Sequence, residues 1–198
     1  MALASLEGWQ NWPNRKLILV GPEGSGKTHL AHVWAAISGA NILQAADLAQ
    51  ADVAALSAGN LVVEDTRAIA GHRDAEQALF HIHNLLLMQG HHLLLTADQP
   101  PSRWALAIPD LQSRMEGTSV TKLDAPDDSL LAAMLAKLFA DRQLTPSPDA
   151  VTYLLRNMER SAAEAARIVS EMDRRALADG RKITRNLALE VLQNPDAL

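Results

Sequence analysis

Residues 16–38, KLILVGPEGSGKTHLAHVWAAIS, decide the fold. Lys16–Val20 is a short apolar run with the length and composition of a buried strand, and Lys27–Ser38 carries a helical pattern. Between them, Gly21-Pro22-Glu23-Gly24-Ser25-Gly26-Lys27-Thr28 matches the phosphate-loop pattern G-x-x-x-x-G-K-[ST] in full. Each residue type in that pattern has a physical reason. Glycines let the backbone curl so that successive N–H groups point at one phosphate with no Cβ in the way. The N-terminus of the following helix adds partial positive charge. Lys27 supplies a mobile cation for terminal phosphates, and Thr28 a hydroxyl for Mg²⁺. A random chain of this length shows the pattern on the order of once in a hundred. A strand before it and a helix after it are the context that gives the match its meaning.

Outward from this segment, short apolar runs alternate with helical patterns as far as residue 124, the signature of a parallel α/β sheet. Asn41–Leu43, Leu61–Val63, Leu93–Leu95 and Val120–Leu123 read as four further strands, which makes five with Lys16–Val20. Arg73–Met88 reads as a long helix with Ala75, Ala78, Leu79, Ile82, Leu85 and Leu86 on one stripe, and Gly90 is placed to end it. At Asp124-Ala125-Pro126 the pattern changes to helices only: Ser129–Asp141, Pro148–Met158, Ala162–Ala178 and Thr184–Leu192. Ser161-Ala162-Ala163-Glu164 fits a capping box for the third. The expected organisation is an α/β core over 1–124 followed by a small all-helical lid over 125–198.

Two strand ends carry polar chemistry. Leu61-Val62-Val63 runs into Glu64-Asp65 at the carboxyl edge where open α/β sheets hold ligands. One acid there would hold Mg²⁺, usually through water, and the other would orient an attacking water. The competing reading is an acidic turn after a strand. Thr96-Ala97-Asp98 ends the next strand, and it reads equally well as an ordinary polar strand end or as a group aimed between metal and γ-phosphate. Arg114, on a short helix after Pro109-Asp110, and Arg160, just before Ser161, read in isolation as surface arginines.

Composition narrows the function classes. The chain has 198 residues, 48% hydrophobic and 21% charged, within ordinary globular usage. No apolar run approaches a membrane span, and Met1–Pro13 lacks the pattern of a secretory signal. A net charge of −5 argues against a protein whose main task is gripping nucleic acid. Arg174, Arg175, Arg181, Lys182 and Arg185 form the one basic grouping, read as a solvated helix face. There is no cysteine, His81 and His83 point to different faces, and no HExxH occurs, so zinc is not expected. Trp9, Trp12, Trp34 and Trp104 read as packing residues, with base contact the lesser reading for the first two.

The order phosphate loop, acidic strand end, polar strand end, arginine and helical lid opened by another arginine resembles the AAA+ ATPases. Residues 93–117, LLLTADQPPSRWALAIPDLQSRMEG, resemble the part of the DnaA replication-initiator family and its shorter relatives that carries sensor 1 and the arginine finger. Within that family the chain resembles most the Hda-type regulators, in particular their alphaproteobacterial form, over about Trp12–Leu192. The resemblance implies that Gly21–Thr28 is Walker A, that Glu64 and Asp65 form Walker B, and that Asp98 with Thr96 is sensor 1. It implies an arginine finger in Arg114, acting on a nucleotide of a neighbouring subunit, and sensor 2 in Arg160, acting on this chain's own phosphates. ADP or ATP with Mg²⁺ is the implied cofactor. The implied partners are the DnaA initiator and the sliding clamp, with a homo-oligomer left open, no sequence-specific DNA binding, no membrane and a cytoplasmic location.

This sequence departs from the family pattern in three ways. Glu64 stands where the family usually has an aspartate, which puts efficient hydrolysis by this chain in doubt. No DNA-reading helix-turn-helix is legible after Leu192, and no clamp-binding motif near Met1, as in a shortened chain. The implied function is promotion of ATP hydrolysis on DnaA. An autonomous P-loop ATPase or phosphotransferase, and a helicase-loader-like AAA+ adaptor, are the rival readings.

Overall fold

The computed structural model describes residues 2–193, apart from the side chain of Ala2; Met1 and residues 194–198, which the sequence reading puts at the ends of the core and the lid, lie outside it. Two compact units form, one of Met1–Pro22 with Gly26–Asp124 and one of Glu23–Ser25 with Ala125–Leu198.

The first unit begins with helix α1 (Ala2–Glu7), which periodicity did not predict. Strand β1 (Lys16–Val20) and helix α2 (Lys27–Ser38) follow, with the loop between them. Strand β2 (Asn41–Gln44), the short helix α3 (Val53–Ser57) and strand β3 (Leu61–Glu64) come next. The long helix α4 (Arg73–Met88) leads to strand β4 (Leu93–Ala97), then helix α5 (Pro109–Glu116) and strand β5 (Ser119–Lys122). The last strand was read one residue late, because Ser119 and Thr121 break the apolar run at an edge where one strand side faces water.

All five strands pair in parallel, in the order β2-β3-β4-β1-β5. Burial follows from that order. The three inner strands β1, β3 and β4 are buried throughout, whereas the edge strands β2 and β5 are largely exposed or half-buried. Because successive side chains alternate between faces, apolar runs such as LVV and LLL fill both layers at once. Ile18, Val20, Leu61, Val63, Leu93 and Leu95 pack with Leu79, Ile82 and Leu86 of α4 on one face. Leu17, Leu19, Val62 and Leu94 pack with Ala31 and Trp34 of α2 and Leu6 of α1 on the other. Trp34 is fully buried there, with Trp12 stacked on it at 5.1 Å and Trp9 set edge-on at 6.1 Å.

In the second unit, helices α6 (Asp128–Asp141), α7 (Pro148–Asn157), α8 (Ala162–Asp179) and α9 (Arg185–Gln193) bury one core of Leu131, Leu135, Phe139, Leu154, Ile168, Met172 and Leu187 among others. Asp127, Ser147 and Ser161 cap the first three by accepting a backbone N–H. Only half of the predicted capping box forms. Ser161 Oγ accepts from the Glu164 N–H, but the Glu164 carboxylate grips Arg167 instead of reaching back, and the Ser161 N–H goes to the Glu159 carbonyl. Three of the five residues in the C-terminal basic group are tied into carboxylates, Arg174 and Arg175 to Glu171 and Arg181 to Glu190, while Arg185 lies over the Tyr153 ring.

The tryptophan cluster gives the first unit a measurable anchor. Trp34→Ala removes the largest buried side chain of that layer and is expected to cost about 3–5 kcal/mol, read as a lowered midpoint in urea unfolding followed by circular dichroism.

Candidate functional site

Parallel strands deliver their carboxyl ends to one edge, and most of the polar residues singled out in the sequence gather there. The Gly21 N–H donates to the Ala97 carbonyl, 3.2 Å, which ties the start of the loop to the end of β4. Gly26 has φ of 92°, a left-handed conformation that L side chains resist, and it places the first N–H groups of α2 at the loop. Gly24, with φ of 71°, needs the same freedom. Lys27 is buried, and its Nζ donates to the Gly21 and Pro22 carbonyls, 2.8 Å each. An ammonium has three N–H donors, so one proton remains for an anion above the loop. Thr28 is exposed in the first turn of α2, as are Pro22 and Glu23 in the loop, whereas Gly21 is buried and Ser25 is half-buried.

Glu64 is the last residue of β3 and is 3% exposed. Its Oε2 accepts from Gln44 Nε2, 2.9 Å, and has His32 Nε2 at 3.8 Å. Its Oε1 is buried and lacks a hydrogen-bond partner. Such an oxygen calls for a donor or a cation. The donor set fits a hydrated Mg²⁺, which takes one or two carboxylates and keeps several waters; Glu64 and the Thr28 hydroxyl would hold it, and it would neutralise phosphate charge. Among the described residues no three His, Asp or Glu side chains gather as a metal cage.

Asp65 leaves the strand with φ of 53°, and its N–H donates to the buried Thr96 Oγ1, 3.0 Å. Thr96 therefore braces the turn that carries the second acid. Asp98 goes another way. Its carboxylate accepts from Arg67 Nη1, 2.8 Å, and it lines a cleft of about 560 Å³ with Asp65, Arg67, Arg103 and Trp104.

Arg114 lies at the opposite edge of the sheet. The carbonyl of Arg114 accepts from Lys16 Nζ, 2.8 Å, and Lys16 begins β1 where Val20 ends it at the loop. Four strand steps, roughly 13 Å, separate those two residues. The Arg114 guanidinium is exposed and sits 5.3 Å from the centre of the Phe80 ring. No carboxylate among the described residues neutralises it, whereas Arg67 is held by Asp98. Arg160 belongs to the second unit, where it bonds the Asp128 carboxylate and, at 3.4 Å, the Pro126 carbonyl.

With the geometry assembled, comparison with known proteins places it. Residues 38–122 match the bacterial DnaA ATPase domain. Glu64, Asp65, Asp98 and Arg114 fall inside that DnaA-related stretch; Gly21–Thr28 and Arg160 fall outside it. The fold matches that of solved DnaA, RuvB and AAA-domain structures. Domain III of Thermotoga maritima DnaA superposes with a TM-score of 0.80 at 16% identity, over 98% of this chain and 88% of that one. AMPPCP-bound Aquifex aeolicus DnaA gives 0.73 at 20% identity, and this chain spans 98% of itself but only 63% of that protein. A Thermotoga maritima RuvB mutant gives 0.74 at 18% identity, over 97% and 67%. Among the described residues no helix is long and apolar enough to cross a membrane.

Several residues in or beside the DnaA-like stretch had no sequence signal. Gln44 is in register with Glu64 across β2 and β3, a pairing that only the sheet order reveals. Lys16 opens the run read as a buried strand; it is 5% exposed and donates to both the Arg114 carbonyl and His83 Nε2, 3.3 Å, contacts the sequence does not report. Glu76 is fully buried, with Oε1 accepting from the Gly71 and Ala107 N–H groups at 2.9 and 3.0 Å, and Oε2 from Ile108 at 2.9 Å. Burial, and then the charge of Arg114, hold the Lys16 pKa below the usual lysine value.

His83 faces an ammonium that has no acceptor, so its Nε2 must be the unprotonated nitrogen and Nδ1–H points at Asn84 Oδ1, 3.2 Å. Burial lowers its pKa to about 4, assisted by the charges of Lys16 and Arg114 and opposed by the bond to Asn84. A depressed histidine stabilises the fold above its unfolded pKa of about 6.5. That stabilisation is lost as pH falls through the window from about 6.5 to about 4. His83→Gln should flatten this part of the acid-unfolding profile in equilibrium denaturation at stepped pH.

Proposed function

We propose that this chain is a DnaA-related regulatory nucleotide-binding protein whose Arg114 promotes hydrolysis of ATP bound to a neighbouring DnaA molecule, in the manner of the Hda-type regulators it resembles. The observation that carries the reading is the position of Arg114. It stands at the sheet edge opposite Gly21–Thr28, beside buried Lys16 and, among the described residues, with no acid to neutralise it. A guanidinium so placed is out of reach of this chain's own phosphate loop and open to a phosphate presented from outside. Supplied in trans, it would stabilise charge developing on the transferring phosphoryl group, an effect worth about 10³-fold or more.

In this reading Gly21–Thr28 would hold ADP or ATP, Lys27 would bind its terminal phosphates, and Thr28 and Glu64 would hold a Mg²⁺ that neutralises phosphate charge. Support comes from the left-handed Gly26, the spare Lys27 proton and the unpartnered Glu64 Oε1. The AMPPCP carried by the Aquifex aeolicus DnaA structure is consistent with it. Arg160 would complete the set as sensor 2 and Asp98 as sensor 1.

A second reading, an ATPase that turns over its own nucleotide, draws on the same buried Glu64 and on Asp65 braced by Thr96. The two separate in one assay with purified DnaA carrying labelled ATP. Arg114→Ala should reduce the stimulated hydrolysis by about 10³-fold or more while leaving nucleotide affinity unchanged. Lys27→Ala should abolish nucleotide binding, read by a fluorescent ADP analogue. Stimulation that survives Arg114→Ala would sink the proposal, and brisk turnover by the chain alone would favour the second reading.

A further inference from the structure

Helix α5 is only eight residues long, and a helix of that length is marginal by itself. Two buried charged side chains bond backbone at its two ends. At its start, Glu76 binds the N–H groups of Ala107 and Ile108, the residues that lead into Pro109, and holds Gly71 as well. At its end, Lys16 binds the carbonyl of Arg114 itself. A carboxylate at the amino end and an ammonium at the carboxyl end both match the helix dipole. Glu76, Phe80 and His83 lie at i, i+4 and i+7 on α4, so they form one stripe under α5. Phe80 supports the guanidinium and His83 accepts from Lys16. Each charge bonds backbone of α5 or of the loop before it; neither pairs with an opposite charge among the described residues, as stabilising buried ions usually do.

We propose that Lys16 and Glu76 are positioning residues for Arg114, clamping both ends of α5 on α4 so that the guanidinium is preorganised for a phosphate supplied by another molecule. The inference rests on the trans role of Arg114 proposed above. Neither residue would touch the reacting atoms; both act through the backbone of one helix.

The test uses the full chain in two measurements. Lys16→Met keeps the stem and removes the charge, and Glu76→Gln replaces a carboxylate that accepts three N–H bonds with an amide. Hydrogen exchange on the chain alone should run at least tenfold faster over residues 107–116 in either variant. In the assay with ATP-loaded DnaA, the plateau rate should fall at least tenfold, while the half-saturating concentration and the nucleotide affinity stay within twofold. A merely structural role would not separate plateau from saturation in this way. Unchanged exchange, or an unchanged plateau where Arg114→Ala is inactive, overturns the inference. Full stimulation by Arg114→Ala removes the proposed function instead, and exchange then decides the clamp separately. Should both variants fail to fold, the wild-type amides of Ala107 and Ile108 decide: protection of tenfold or more over an unstructured peptide supports the clamp, and its absence overturns it.

Discussion

The backbone hydrogen bonds that pair β1 with β4 and β5, and β3 with β4, in parallel register force every strand to begin at one edge of the sheet and to end at the other. Chemistry is sorted by that constraint. The carboxyl edge collects Gly21–Pro22 just after β1, Lys27 at the start of α2, Glu64 at the end of β3 and Thr96 one residue before the end of β4. The amino edge receives Lys16 and, through it, the carboxyl end of α5. An antiparallel hairpin anywhere among the inner strands would have mixed the two edges. The separation of Arg114 from the phosphate loop is thus a property of topology before it is one of any side chain.

Charge is handled differently at the two edges. At the carboxyl edge the buried charges retain unused capacity: a third proton on Lys27 and an unpartnered oxygen on Glu64. At the amino edge the buried Lys16 is bonded to a peptide carbonyl, and among the described residues the exposed arginine beside it meets no carboxylate, while Glu76, at the other end of α5, is likewise bonded to peptide groups. Unspent bonding capacity in a buried charged group is costly in a structure that never meets a ligand, so its presence at Lys27 and Glu64 carries information.

The sequence made the local features legible and left the long-range ones dark. The strand–loop–helix of residues 16–38 and helix 73–88 form with the bounds their periodicity predicts, because each is decided within one or two turns of chain. The phosphate loop is recognisable for the same reason. Glu64 was visible as a strand end, but its burial and its bond to Gln44 depend on β2 lying beside β3. Asp98 and Thr96 look equivalent in sequence, yet only Thr96 remains inside β4, while Asp98 turns to Arg67. Lys16 and Glu76 are separated from their backbone partners by 98 and by 31 and 32 residues, and no periodicity reports contacts at that range.

The aromatic layer on the α2 face has a use of its own. Three of the chain's four tryptophans, Trp9, Trp12 and Trp34, cluster there, and Trp104 sits in the opposite core of the same unit. The helices α6–α9 hold none, and their aromatic residues are Phe139 and Tyr153. Intrinsic indole emission is therefore blind to the second unit, while far-ultraviolet dichroism sees both. Recorded together on the same sample, the two signals let the melting of each unit be followed without attaching any label.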